Sequence, residues 1–250
     1  LETAIGPKTK VLALTHMSNV LGTIPDVKRA AELAHKVGAE VLIDGCQSAA
    51  NMTVDVRAID ADYYVFAPHK TYGPTGIGVL YGKYDKLDAL PPFEGGGEMI
   101  ETVTLDNVTY NDPPHRFEAG TPPILEAIGL GAALEWLSGV DREAGHAHKM
   151  ALYHRALEGL RGVNGLTVHG TSPDKGPVLT FSLEGAHPHD IAQILDRHGV
   201  AIRAGHHCAQ PLMTHLGVTA TARASFGLYN TAEEVDSFIE ALNRARTMLA

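Results

Sequence analysis

Three short apolar runs in the first third of the chain each stop at polar residues, and this pattern limits the fold more than any other feature. Residues 11–15 read V-L-A-L-T, residues 41–43 run into Asp44, and residues 63–66 end shortly before His69 and Lys70. Brief apolar runs bounded by turn signals read as buried strands. Between the first two, Pro25 and Asp26 open a helix in which Ala30, Leu33, Ala34 and Val37 recur at helical spacing, and Gly38 suits its C-terminal cap. A fourth strand is expected over residues 77–81. Strands alternating with helices build an α/β sheet with parallel portions, and such sheets gather ligand-binding groups beyond their strand ends.

From residue 87 to 120 the sequence is rich in loops, with a short strand expected at 102–105. Thr121 followed by Pro122 predicts a helix start, and an apolar stripe over residues 124–137 ends near Gly139. A second long helix is predicted over 141–160. Strands follow at 166–168 and 178–183, a helix at 187–198, and strands at 200–203 and 222–228. Thr231 and Glu234 have the spacing of a capping box before a final helix with Val235, Phe238, Ile239 and Leu242 on one face. The predicted organisation is a first domain over residues 1–120 and a smaller α+β domain over 121–250.

The 250 residues are 44% hydrophobic and 20% charged, enough to bury a core. A net charge of −9 without a basic run argues against nucleic acid or an anionic membrane as partner. No stretch approaches the roughly 18 apolar residues of a membrane helix, and the first residues lack a signal peptide's apolar core. Two cysteines, Cys46 and Cys208, make no disulfide framework, and the expected location is cytoplasmic. The chain starts at Leu1 and enters strand-like sequence within about ten residues, as a fragment or a cleaved protein would.

Three constellations carry chemistry. They are Asp44-Gly45-Cys46-Gln47, then His69-Lys70 with G-P-T-G-I-G over 73–78, and Arg203-Ala204-Gly205-His206-His207-Cys208. The glycine run has the wrong spacing for a dinucleotide fingerprint and suits a turn into a strand. Pyridoxal phosphate needs a lysine to bind it covalently, an acid for its ring nitrogen, and donors for its phosphate. Asp44 and Lys70 at neighbouring strand ends meet the first two needs. A turn or cap aspartate and a solvated lysine meet the same pattern.

The segments T-H-M-S-N-V-L-G-T (15–23), V-L-I-D-G-C-Q-S (41–48) and H-K-T-Y-G-P-T-G-I-G-V-L-Y-G (69–82) closely resemble successive motifs of class V aminotransferase-like enzymes of fold type I. Within that group, G-G-G-E-M-I (95–100), R-F-E-A-G-T-P (116–122), R-A-G-H-H-C-A-Q-P-L-M (203–213) and R-A-S-F-G-L-Y-N-T (223–231) are similar to the SUF-system, or group II, cysteine desulfurases. The resemblance spans essentially the whole chain in order. It implies an α/β fold, part of the large-domain sheet of a fold type I pyridoxal-phosphate-dependent transferase, with a smaller C-terminal α+β domain. It also implies a further N-terminal portion carrying the phosphate loop and a ring-stacking histidine.

Carried onto this sequence, the resemblance implies that Lys70 holds the cofactor and later moves the substrate α-proton. Asp44 would pair with the ring nitrogen, Gln47 and Asn19 would approach the ring hydroxyl, and His69 would help bind the phosphate. Asn19 and Arg223 would face the substrate carboxylate, a task that suits guanidinium's paired donors. Arg203 would lie near the reactive cysteine. Gly120 and Thr121 would reach the phosphate of a partner subunit's cofactor, which implies a homodimer.

At Ala67 the family usually has serine or threonine, and Pro68 replaces a glycine. Losing a hydroxyl on the phosphate costs about 1.5–3 kcal/mol, and Pro68 constrains Ala67 to extended backbone.

Cys208 is the expected nucleophile, with a structural loop cysteine as the plainer reading. Arg203, His206 and His207 stand close in sequence and are expected to raise its thiolate fraction. Cys46 reads as a packing thiol. His206, His207 and Cys208 lack the further ligands a structural zinc needs, and His146, His148 and His154 read as surface residues, so no metal is expected. The resemblance implies an L-cysteine desulfurase that makes alanine and a persulfide and passes sulfur to a carrier or scaffold protein for iron–sulfur cluster assembly. A selenocysteine lyase, or an inactive fragment or dimerising partner, is the alternative.

Overall fold

The computed structural model describes residues 1–249 and divides them into two compact units. The first comprises residues 1–16 and 26–140, the second residues 17–25 and 141 onward.

In the first unit, β1 (Val11–Thr15), β2 (Glu40–Asp44), β3 (Tyr63–Phe66) and β4 (Val79–Gly82) form one sheet in that order. β1, β2 and β3 run parallel and β4 returns antiparallel. Between β1 and β2 runs α1 (Val27–His35), started by the Asp26 carboxylate, which accepts from the Arg29 N–H. Its Val27, Ala31 and Ala34 pack on Val41 and Ile43 of β2, the face that also holds Leu12 and Leu14. Short helices α2 (Ser48–Asn51) and α3 (Val56–Ile59) join β2 to β3, and α4 (Tyr84–Asp88) follows β4. One-turn helices carry too little periodicity to be read from sequence.

The expected strand near 102–105 is half of a hairpin, β5 (Ile100–Val103) with β6 (Val108–Tyr110). The long helix α5 (Ile124–Ser138) begins three residues after Thr121, with Pro123 at its N-cap. Pro122 and Pro123 explain the delay, because a residue before proline is kept out of helical geometry. α5 stays with the first unit: its Glu126 and Gly129 lie against Gly76 and Pro74, and its Trp136 meets Tyr72 edge-on. The division between compact units therefore falls at Val140, about twenty residues past the position read from the sequence.

In the second unit, α6 (Arg142–Leu160) leads into β7 (Leu166–His169), β8 (Val178–Leu183), α7 (Pro188–Asp196), β9 (Arg203–Gly205), α8 (Gln210–His215), β10 (Thr221–Ser225) and α9 (Ala232–Leu249). The strands pair antiparallel in the order β7-β8-β10-β9. α6, α7 and α9 cover one face of this sheet, burying Leu152, Leu160, Ile191, Phe238 and Leu242 against Leu179, Phe181 and Ala222. The expected capping box forms: Thr231 Oγ1 accepts from Glu234 N–H, and the Glu234 carboxylate accepts from Thr231 N–H. Residues 17–25 join this unit through backbone. The Ile24 N–H donates to Asp174, Gly176 N–H donates to Gly22, and the Thr180 hydroxyl donates to the Val20 carbonyl.

Candidate active site

In the first unit the sheet delivers Asp44 at the C-terminal end of β2. Backbone bonds fix that end on both sides: His16 N–H donates to the Asp44 carbonyl at 2.9 Å, and Gly45 N–H to Val65 at 2.7 Å. The Asp44 carboxylate turns back to accept the Cys46 N–H at 2.8 Å, starting the turn into α2. Glycine is required at 45, because a Cβ there would overlap the Tyr64 ring. That ring places its hydroxyl 2.7 Å from Ser48 Oγ and 3.0 Å from His16 Nδ1, all buried. Burial pushes the Tyr64 hydroxyl up to about 12 and lowers the His16 imidazole, so both are neutral under the sheet end.

Lys70 ends a single 3-10 turn over Pro68–Lys70, directly after β3. Pro68 sits at the first position of that turn, where its missing N–H costs nothing, and Ala67 is extended as expected before proline. The turn is tied by Lys70 N–H to Ala67 at 3.0 Å and by the buried Thr71, whose N–H and hydroxyl both donate to the Pro68 carbonyl. His69 and Lys70 are exposed. Burial and then the Asp44 carboxylate raise the Cys46 thiol, while the Lys70 charge opposes them. Gln47 is half-buried at the N-cap of α2, where its carbonyl accepts from Asn51. Gly120 adopts φ +82° and donates to the Gly97 carbonyl at 2.9 Å, beside an exposed Thr121.

The second unit holds the remaining expected residues. Cys208 is exposed in the turn between β9 and α8, with Arg203 Nη2 donating to its sulfur at 3.7 Å. Arg223 on β10 is the ladder partner of Arg203. It donates from Nη1 to the Asn19 carbonyl at 2.7 Å, and its buried Nε has no partner. Burial, followed by Arg203, lowers the Arg223 pKa, yet a guanidinium stays charged at neutral pH. Asn19 Nδ2 in turn donates to the His207 carbonyl. An open cavity of about 510 Å³ is lined by Arg203, His206, His207, Cys208 and Gln210. A second cavity of about 450 Å³, beside His198 and Phe238, is lined by none of the expected catalytic, cofactor or substrate residues.

One expectation is corrected here. His207 does not lend charge to the thiol, because its ring is buried, and burial with Arg223 nearby pushes its pKa down to about 4. The cation placed at the sulfur is Arg203.

With this geometry established, kinship is decided by extent of match. Residues 1–238 match the aminotransferase class-V family. The chain belongs to that family. Class-V relatives include the probable cysteine desulfurase of Halalkalibacterium halodurans, 51% identical over 247 residues, covering 98% of this chain and 60% of the relative. The probable cysteine desulfurase of Vibrio cholerae is 46% identical over 245 residues, with 98% and 60% covered. Among solved structures, the cysteine desulfurase CsdA (S-sulfonic acid) of Escherichia coli matches with a TM-score of 0.96 and 43% identity, over 99% of this chain and 62% of that one. The apo cysteine desulfurase of Thermococcus onnurineus matches at 0.92 and 40%, with 96% and 60% covered. The chain thus spans about 60% of the length of the class-V relatives it matches. Its α/β architecture is that of the fold type I class-V enzymes, with part of their large-domain sheet in the first unit.

Sequence reasoning missed His16, Tyr64 and Ser48, which support the Asp44 turn, and Thr221, which supports the Cys208 turn. A glycine directly after a strand-end aspartate was the available signal for the first group. Thr221 left none, since a threonine opening a strand is ordinary.

Proposed function

We propose that the protein is a pyridoxal-phosphate-dependent L-cysteine desulfurase, in which Cys208 takes sulfur from substrate cysteine. The observation that carries this reading is the exposed Cys208 thiol with the Arg203 guanidinium 3.7 Å from its sulfur.

The donor set fits the cofactor. The Asp44 carboxylate stands at the C-terminal end of β2, where Oδ1 takes the Cys46 N–H, and an acid at that place would pair with a protonated ring nitrogen. Lys70 would hold the cofactor, with Gln47, Asn19 and His69 as further contacts. Pyridoxal phosphate, when bound, supplies an electron sink for charge that develops at the substrate α-carbon.

Around it the chain's own groups divide the work. Lys70 takes the α-proton of the amino acid and is the proton carrier in the site. Arg223 pairs with the substrate carboxylate, and its unpartnered Nε supplies a free donor for it. The Cys208 thiolate attacks the substrate sulfur, forming a sulfur–sulfur bond as the carbon–sulfur bond breaks. The former Cβ gains a proton. Enzyme thiol and cysteine become enzyme persulfide and alanine, so two sulfurs are oxidised, the carbon is reduced, and no outside oxidant is needed. Arg203 stabilises the thiolate before attack.

The persulfide then passes to a carrier or scaffold protein that supplies iron–sulfur cluster assembly. Gly120 and Thr121 contact the cofactor of a second subunit in a homodimer, and the protein works in the cytoplasm. Full-length protein loaded with pyridoxal phosphate is expected to release alanine from L-cysteine, and Lys70→Ala to lose both the cofactor absorbance and the product. Alanine release by Lys70→Ala at the normal rate would contradict the reading. Faster turnover of L-selenocysteine than of L-cysteine would instead favour a selenocysteine lyase.

A further inference from the structure

Two consecutive residues at the thiol, His207 and Cys208, have φ of +54° and +59°. Residues with a Cβ rarely occupy this left-handed region, because the Cβ crowds the following carbonyl oxygen. Two in succession persist only where the surroundings hold them. The contacts that do so converge on His207. Its ring is 2% exposed, with Nε2 2.9 Å from Thr221 Oγ1 and 3.1 Å from the Thr221 carbonyl. A carbonyl only accepts, so Nε2 carries the hydrogen and Nδ1 is an unprotonated nitrogen, buried without a partner. The ring therefore spends its donor on the strand. The carbonyl of the same residue receives the Asn19 side chain at 2.6 Å, and Thr221 is itself fixed by pairing with Gly205.

We propose that His207 is a positioning residue, whose Nε2–H contact to Thr221 holds Cys208 in the left-handed turn that keeps its sulfur at Arg203. The depressed ring pKa agrees with a buried Nδ1 that carries no hydrogen, which leaves the ring one donor, the Nε2–H held by Thr221. The inference rests on Cys208 being the nucleophile of the proposed desulfurase.

The test compares full-length wild type with His207→Leu, which fills volume without a donor, and His207→Gln, whose amide nitrogen reaches about as far as Nε2. Thr221→Val, which removes the hydroxyl alone, is the milder companion should His207→Leu not fold. The first readout is the rate of iodoacetamide addition at Cys208, resolved from Cys46 by peptide mass, without cofactor or cysteine. The second is alanine release, split into kcat and KM. His207→Leu is expected to slow alkylation several-fold and to lower kcat on the order of tenfold with KM for cysteine unchanged. Gln restores most of both, and Thr221→Val falls between. Wild-type alkylation in His207→Leu, or equal losses in the Leu and Gln variants, would overturn the proposal. Because alkylation needs no turnover, a wild type that made no alanine yet kept this alkylation pattern would sink the desulfurase reading and leave the positioning role standing.

Discussion

The Asn19 side chain donates from Nδ2 to the His207 carbonyl at 2.6 Å, joining positions 188 residues apart beside the thiol. The Asn19 carbonyl meanwhile accepts from Arg223, so one residue anchors both the Cys208 turn and the guanidinium. Asn19→Asp replaces the donor by an acceptor facing a carbonyl. The expected loss is about 1–3 kcal/mol of stability, read as a lower urea midpoint for full-length protein. An unchanged midpoint would show that this bond does not hold the turn.

Tyr64 ties Ser48 and His16 beneath the Asp44 turn. Tyr64→Phe leaves both buried partners short of one bond and is expected to cost about 1–3 kcal/mol. The hydroxyl's pKa near 12 is raised by burial, so its contribution is complete below the ordinary value of 10 and is lost as pH rises through about 12. A spectrophotometric tyrosinate titration should show one fewer late-ionising tyrosine in the variant, with Tyr63 and Tyr153, also raised by burial, unaffected.

Asp62 is buried between β2 and β3, where it accepts from Val41 N–H, His35 Nε2 and Lys83 Nζ at 2.8, 2.8 and 2.9 Å. Burial alone would raise its carboxyl, but Lys83, His35 and Val41 outweigh burial and hold it below its ordinary 3.8. A depressed folded pKa means stability present above that value and lost as pH falls through the lower one. Asp62→Ala is expected to cost about 1–3 kcal/mol at neutral pH, since it leaves the buried Val41 N–H without its acceptor while the partly exposed His35 and Lys83 keep Asp60. The stability gap between variant and wild type should narrow as pH falls below the ordinary 3.8; a gap unchanged in acid would contradict the assignment.

Under the proposed function, Ala67 stands where a side-chain hydroxyl would reach the cofactor phosphate. Ala67→Ser adds one donor at the base of the Lys70 turn. A hydrogen bond to a charged phosphate is worth about 1.5–3 kcal/mol, so the dissociation constant for pyridoxal phosphate should fall by at least tenfold in an absorbance titration. Unchanged affinity would place residue 67 away from the phosphate.

The fold was legible where periodicity ran long. The strands at 11–15, 63–66 and 178–183, and the helix at 142–160, lie within a residue or two of their expected limits, and α5 follows its apolar stripe although it starts three residues past Thr121. The misplacements have local causes. The strand expected at 200–203 begins at Arg203, and the one expected at 77–81 begins at Val79, because pairing with β10 and β3 decides which residues of an apolar run join a ladder. At the candidate site, chain order singled out Asp44, Lys70, Arg203 and Cys208 as candidates. It could not give the role of His207, whose left-handed backbone and buried ring depend on Thr221 and Asn19 at distant positions.

The central claim is tested most directly by the mass of the Cys208 peptide after full-length, cofactor-loaded protein meets L-cysteine without an acceptor. The account predicts a gain of one sulfur atom at Cys208 and none at Cys46, no gain in Lys70→Ala, and no sustained alanine release in Cys208→Ala. Sulfur gained at Cys46 alone, or full turnover by Cys208→Ala, would contradict it.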